Sequence, residues 1–304
     1  MPRTAIPRPR SIRFNGRREN AAMPKPDLIV TASRCTAARK CIGDVARLSQ
    51  DIPLFPVERP MLLEALATAR AAAAASNAPN TSSTTKTAST SQPVSGQRIG
   101  WAAIFLKAYS LVAREMPVLR TWLVRGFSTG GLRLATASES VATLAVNRVE
   151  QGEDRLFWAR LAQPDARPLP EIQQFVVDCT TRPVEEMFKR QLQLEMVPGF
   201  LRRTILRWNM NSFSQKRAAR IGTFSLSTLA GLGAINRFHP TICTTSLSYA
   251  PLEADGRCLV TLIADHRVLD GAVVARALAR LEEVLVNDMV AELRSLKNVS
   301  PASR

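Results

Sequence analysis

The spacing of apolar residues changes several times along the chain, and each change predicts an element. Cys258 to Ile263 is apolar and rich in β-formers, the pattern of a buried strand. Val273 to Val286 places apolar side chains at 273, 274, 277, 278, 281, 284 and 285, which is helical spacing. Upstream, Ala37–Leu48 predicts a helix with Ile42, Val45, Ala46 and Leu48 on one face, followed by an extended piece, Ile52–Arg59, whose prolines suit a sheet edge. Met61–Ala75 is an alanine-rich helix, and Ile99–Arg114 is a mostly apolar helix stopped by Pro117. Strands are predicted at Val141–Asn147, Leu156–Leu161, Phe224–Leu229 and Thr244–Tyr249. Further helices are predicted at Leu169–Thr180 and Pro183–Met196, with a basic amphipathic stretch at Phe200–Phe213. The sum is an α/β chain, a mixed β-sheet with helices packed on it, without internal repeats.

Three segments lack periodicity. Residues 1–33 are expected to be a basic, largely disordered arm, its first 26 residues rich in Arg and Pro. Residues 76–97 are Ser/Thr/Asn/Pro-rich without an aromatic residue, the composition of a low-complexity insertion, and 298–304 reads as a disordered tail. What remains, 34–297, is expected to be one domain. The first 18 residues hold six arginines and no acid, as in an organellar transit peptide, but Pro2, Pro7 and Pro9 oppose the amphipathic helix such peptides form. A cytoplasmic location is therefore expected, with an organellar matrix as the alternative.

Composition narrows the function classes. At 304 residues and 46% hydrophobic content the chain can bury a sizeable core, and it has no apolar run long enough to span a membrane. Five cysteines, an odd number with no CxxC pair, argue against a disulfide framework or a zinc site, and two histidines argue against a His-rich metal site. The net charge of +16 favours anionic partners. That charge is concentrated: residues 1–50 carry eleven Lys/Arg against three acids, and Lys189 to Arg220 carries eight against one. A solvated helix face is the first reading of the basic 187–220 region. Phosphate binding on coenzyme A or contact with an acidic membrane surface comes next. Nucleic acid comes last, because no recognition motif accompanies the charge.

Candidate chemistry centres on Asp265-His266-Arg267-Val268-Leu269-Asp270-Gly271-Ala272. His266 stands between the predicted strand and helix, so a titratable side chain is framed by two rigid elements. Taken alone, a histidine four residues before Asp-Gly is a weak pattern. It is accompanied upstream by Gly222-Thr223-Phe224-Ser225-Leu226-Ser227-Thr228-Leu229-Ala230-Gly231-Leu232-Gly233, a short strand and a hydroxyl-rich glycine turn. The other histidine, His239, precedes Pro240 in a predicted loop and reads as structural.

These two stretches together resemble the catalytic domain of the dihydrolipoamide acyltransferases of 2-oxoacid dehydrogenase complexes, within the chloramphenicol acetyltransferase-like superfamily. Ala38 to Ile42 with Ile52-Pro53, and Trp101 to Pro117, resemble the opening segment and a helix of the same domain. The resemblance extends over roughly residues 34–286. The chain departs from that family in showing no lipoyl or peripheral-subunit-binding domain and in carrying the 76–97 and 187–220 regions. In this it is similar to stand-alone bacterial forms, whose layout is matched by Arg217-Ala218, Gly222 to Phe224, Gly231 to Ala234, His239-Pro240 and Asp265 to Ala272.

The resemblance implies a chloramphenicol acetyltransferase-like fold, a homotrimer or higher homo-oligomer, and coenzyme A thioester as acyl donor, with no metal and no lipoyl group on this chain. Neutral His266 would be the general base, and by resemblance Ser227 would supply the oxyanion donor, with Ser225 and Thr228 as fallbacks. Asp270 would ion-pair with Arg39 and shape the His266 loop, and Gly271 would permit the turn. No cysteine falls at a motif position for a covalent acyl-enzyme, so transfer would be direct. The acceptor stays open among thiols, hydroxyls and amines, a dihydrolipoyl group included. The competing expectation is a catalytically silent scaffold associated with a dehydrogenase complex.

Overall fold

The computed structural model describes residues 34–76, 98–125, 131–150 and 152–298, so the arm, the 76–97 insertion and the tail lie, apart from their border residues, outside the described residues. The residues from Cys35 on form one compact unit. Eight strands are described: β1 (Leu54–Leu62), β2 (Thr121–Arg125), β3 (Leu132–Thr136), β4 (Val141–Glu150), β5 (Glu153–Ala162), β6 (Phe224–Leu226), β7 (Thr245–Tyr249) and β8 (Arg257–Asp265). Six of them make a mixed sheet in the order β1-β8-β7-β6-β4-β5, in which β6 runs parallel to both β4 and β7 and the other pairs are antiparallel. The strands β2 and β3 form a separate hairpin.

The helices are α1 (Ala37–Ser49), α2 (Glu64–Ser76), α3 (Trp101–Glu115), α4 (Leu169–Thr181), α5 (Val184–Met187), α6 (Lys189–Met196), α7 (Gly199–Met210), α8 (Gln215–Ile221), α9 (Gly271–Val284) and α10 (Val290–Asn298). A π-helical turn, Leu285–Met289, joins the last two. Period-two alternation decides which face of each strand is covered by the core. Leu144 and Val146 of β4, Phe157 of β5, Phe224 and Leu226 of β6, Leu247 of β7 and Val260 and Leu262 of β8 all enter one cluster with α2, α3, α4, α9 and α10. The alternate positions of the central strands carry hydroxyls instead: Thr143, Ser225, Ser246, Ser248 and Thr261, all buried.

At the β5 end that second face is covered too. Gln191 of α6 accepts from the Trp158 amide at 3.0 Å and donates to the Leu156 carbonyl at 2.9 Å, which occupies groups on the open edge of β5. Buried Arg202 of α7 donates to Asp44 of α1 at 2.7 Å and to the Glu195 and Val197 carbonyls at 3.2 Å. Arg155 pairs with Glu195 at 2.5 Å. The basic 187–220 region is thus only partly a solvated face: Lys189, Arg203, Arg207 and Lys216 are exposed, while Arg202 and Arg217 are structural.

Candidate functional site

The turn after β8 is fixed before any side chain does chemistry. Buried Asp265 accepts from the Arg267 amide at 3.0 Å and holds the Arg267 guanidinium in a forked pair, with contacts of 2.9 and 2.7 Å. Its carbonyl accepts from the amides of Val268 and Leu269, both at 3.0 Å. The His266 amide donates to Pro53 O at 2.9 Å, so the backbone just before β1 also holds this residue. The imidazole lies on Phe55, ring centroids 4.7 Å apart, and its Nδ1 is 3.6 Å from Asp270 Oδ1. The ring is 56% exposed, and its Nε2 has no hydrogen-bond partner among the described residues. A fixed backbone thus presents a free ring nitrogen to solvent.

The supporting residues stand differently from expectation. Among the described residues no ion pair joins Arg39 to Asp270. The turn that follows α1 approaches the His266 turn, where Arg267 donates to Asp51 O at 3.4 Å. Arg39 sits in the first turn of α1, about 15 Å away along the helix at 1.5 Å per residue. Asp270 is the residue before α9 and is 82% exposed. Gly271 has no left-handed φ, and a Cβ there would meet only Phe55 at 4.0 Å. The turn does not require glycine. Gly222 does: its φ is 99° and a Cβ would come within 2.3 Å of Thr143 Oγ1.

Hydrogen bonding separates the three hydroxyl candidates. Ser225 donates to Ser246 Oγ at 2.6 Å, and Thr228 donates to Tyr249 O at 2.7 Å. Ser227 lies one residue beyond the β6 ladder, held by its amide on Leu247 O at 3.0 Å, and its hydroxyl makes no hydrogen bond among the described residues. Only Ser227 keeps its hydroxyl free for a ligand. That hydroxyl-bearing residue lines a cavity of about 660 Å³ between the second face of β4–β6 and the helices α1, α6, α7 and α8. His266 is not among the residues lining it.

His239, read as structural, does line that cavity. Its Nε2 lies 2.6 Å from Ser246 Oγ and its Nδ1 3.2 Å from Asn236 Nδ2. With the Asn236 amide donating to Nδ1, the ring carries its hydrogen on Nε2 and must stay neutral. Burial agrees, pushing this imidazole down to about 4. A Ser225–Ser246–His239–Asn236 chain therefore backs the cavity wall. Nothing in the sequence marked it beyond the density of Ser and Thr around residues 223–228 and 241–248. Two cysteines also face the cavity, Cys41 and Cys243; burial pushes both thiols up, Cys41 to about 11, so neither is a thiolate. Among the described residues there is no cluster of metal-ligating side chains and no helix long and apolar enough to cross a membrane.

No protein-family model matches the sequence, and no curated protein matches it. Solved structures do match in fold. A probable dihydrolipoamide acetyltransferase from Listeria monocytogenes is 14% identical with a TM-score of 0.57, over 90% of this chain and 98% of that one. The Azotobacter vinelandii dihydrolipoamide acetyltransferase, investigated for the catalytic role of a serine, a histidine and an asparagine, is 15% identical with a TM-score of 0.60, over 89% of this chain and 99% of that one. The cubic core of a pyruvate dehydrogenase multienzyme complex is 15% identical with a TM-score of 0.59, over 89% and 99%. The chain has the α/β fold of these acetyltransferase cores.

Proposed function

We propose that the protein is an acyltransferase that moves an acyl group from a coenzyme A thioester to a nucleophilic acceptor, in a site shared between two copies of the chain. The observation that carries this reading is a pair of free groups on firmly held backbone: His266 Nε2 at the end of β8 and Ser227 Oγ just past β6. In the reaction, His266 Nε2 takes the proton of the acceptor as its heteroatom attacks the thioester carbonyl carbon. The resulting oxyanion accepts a hydrogen bond from Ser227 Oγ. Collapse breaks the carbon–sulfur bond, and the coenzyme A thiolate takes the proton back from the imidazolium. The products are acylated acceptor and free coenzyme A, and no acyl-enzyme forms.

Two features support a shared site. His266 lies outside the cavity that Ser227 lines. Beside Ser227 the loop exposes Leu232 at 79%, Phe238 at 54% and Ile235 at 52%, an apolar surface that a second copy would cover. The fold shared with a cubic multienzyme core and with an enzyme studied at a serine, a histidine and an asparagine adds to both points. A homotrimer is the simplest such assembly.

The test is release of coenzyme A thiol from acetyl-CoA across a panel of thiol, hydroxyl and amine acceptors, dihydrolipoamide among them. His266→Ala and Ser227→Ala should each be inactive yet keep the oligomer. Mixed and reassembled, the two inactive variants should regain part of the activity, since some interfaces then join an intact His266 to an intact Ser227. No turnover with any acceptor by the wild type would leave a silent scaffold as the better reading. Activity that mixing never restores would place the whole site within one chain.

A further inference from the structure

The cavity behind Ser227 carries an inference of its own. Its wall is largely apolar, with Ile42, Val45, Leu156, Trp158, Leu194 and Ile205 among the lining side chains, and no aspartate or glutamate of the described residues lines it. Three arginines do: Arg160 of β5, Arg190 of α6 and Arg220 of α8. Arg220 is engaged by Asn209 Oδ1 at 2.6 Å. Arg190 makes no hydrogen bond or ion pair among the described residues. Arg160 is part-buried; among the described residues its one hydrogen bond is a long one of 3.4 Å from NH1 to the Trp158 carbonyl, and its buried Nε has no hydrogen-bond partner. Burial and the nearby Arg190 charge both work against the Arg160 cation. The fold meets this cost with carboxylates at Arg202–Asp44 and Arg155–Glu195, and at Arg217 with two backbone carbonyls. A half-buried guanidinium with unused donors and a like charge beside it lacks an anion.

From these observations we infer that the cavity is a binding site for an amphipathic organic anion, whose carboxylate or phosphate head is held by Arg160 and Arg190 while its apolar body lies against α1, β5 and α7. A volume of about 660 Å³ holds a body of medium-chain or bicyclic size. Three of the four covering helices, α6, α7 and α8, come from the basic 187–220 region, so that region builds a ligand site as well as a surface. The inference rests on the cavity and its charges and does not depend on acyl transfer.

Isothermal titration of the full-length protein with decanoate, decyl phosphate and decan-1-ol tests it. Decanoate or decyl phosphate should bind at least tenfold more tightly than the neutral alcohol, and whichever binds better identifies the head group. Arg160→Gln should weaken anion binding about ten- to a hundredfold while leaving the alcohol unchanged, the worth of a charge-assisted bond. Arg190→Gln, at an exposed position, should give a smaller loss in the same direction and keeps the test decisive should Arg160→Gln fold poorly. The His266→Ala protein should bind the anions as the wild type does, which separates this result from any failure of turnover. Equal affinity for acid and alcohol, no binding of either anion at millimolar concentration, or anion affinity indifferent to a folded arginine variant would each overturn the inference.

Discussion

The two histidines of this chain occupy opposite kinds of site. His266 is more than half exposed, with a pinned backbone and one ring nitrogen free. His239 is recessed in a cavity wall with both ring nitrogens engaged. The first environment leaves one ring nitrogen open to a ligand; the second holds the imidazole neutral within a hydrogen-bonded frame. The packing around them differs in the same sense. Near the cavity Gly222 is wedged against Thr143, whereas next to His266 the space around Gly271 is open. Openness and rigidity thus fall to different histidines, beside the adjacent strands β7 and β8.

The largest expected effect tests the reactive side. His266→Ala should lower turnover by about a hundred- to ten-thousandfold, the usual contribution of a positioned base, with the unfolding midpoint in urea nearly unchanged because the ring is more than half exposed. His239→Ala should do the reverse: lose stability first, and turnover only as the fold loosens. Equal losses of turnover at both positions in folded protein would erase the distinction.

The glycines extend this to the backbone. Gly222→Ala places a Cβ on Thr143 at a φ that only glycine adopts readily, and should cost about 3 kcal/mol in urea unfolding. Gly271→Ala should stay within about 1 kcal/mol, since glycine in a first helical turn gives no advantage over alanine. A reversed order would mean that the open turn is the strained one.

Acidity gives a further measure of the His239 environment. The unfolded chain's imidazole takes up a proton below about pH 6.5, whereas folded His239 stays neutral down to about 4. In that window the unfolded state binds more protons, so stability falls as the pH is lowered from 6.5 to 4 and the loss from this group is complete below 4. The loss amounts to at most about 3 kcal/mol. Urea midpoints of the wild type and His239→Gln, measured from pH 7 to 4, should converge as the wild type loses this contribution; parallel curves would show that His239 titrates alike in both states.

Much of the fold could be read from period alone. The apolar, β-rich run of β8 and the 3.6-residue spacing in α3 and α9 are strong because β8 is buried along most of its length and each helix packs one face on the core. The hairpin of β2 and β3 was not predicted, since Leu132 and Leu134 point to solvent and give no core pattern. Met61 and Leu62 end β1 where the alanine-rich run predicted helix, because pairing with Cys258 and Arg257 outweighs local propensity. Pro183–Met196 breaks into α5 and α6, and α8 and α10 carry too few apolar positions to announce themselves. At the site, His266 and Ser227 stood out because motif residues surround them. Arg217-Ala218 and His239-Pro240 entered only as parts of a motif layout and Arg160 not at all, since their partners are backbone carbonyls, a hydroxyl and a side-chain amide that carry no spacing signature. Arg217 shows this well: it stacks 4.6 Å over Trp122 and donates to the Gly222 and Ile242 carbonyls, three contacts that no spacing rule would join.

The smallest expected effect sharpens the His266 side. Asp270 was expected to anchor the loop through Arg39, yet in the folded chain its carboxylate is 82% exposed and 3.6 Å from His266 Nδ1, beyond a good hydrogen bond. The loop is held instead by Asp265, Arg267 and Pro53 O. Asp270→Asn keeps the shape of the side chain and removes only its charge. It should change stability by no more than about 0.5 kcal/mol and turnover by less than about tenfold, as for other exposed ion pairs. Asp265→Asn gives the contrast: it breaks a buried forked pair and should cost about 3 kcal/mol or more. A loss at Asp270 as large as at Asp265, together with dissociation of the oligomer, would mean that a cation of a second copy completes this turn. The Arg39 anchor would then act between copies of the chain, which is where a shared active site would need it.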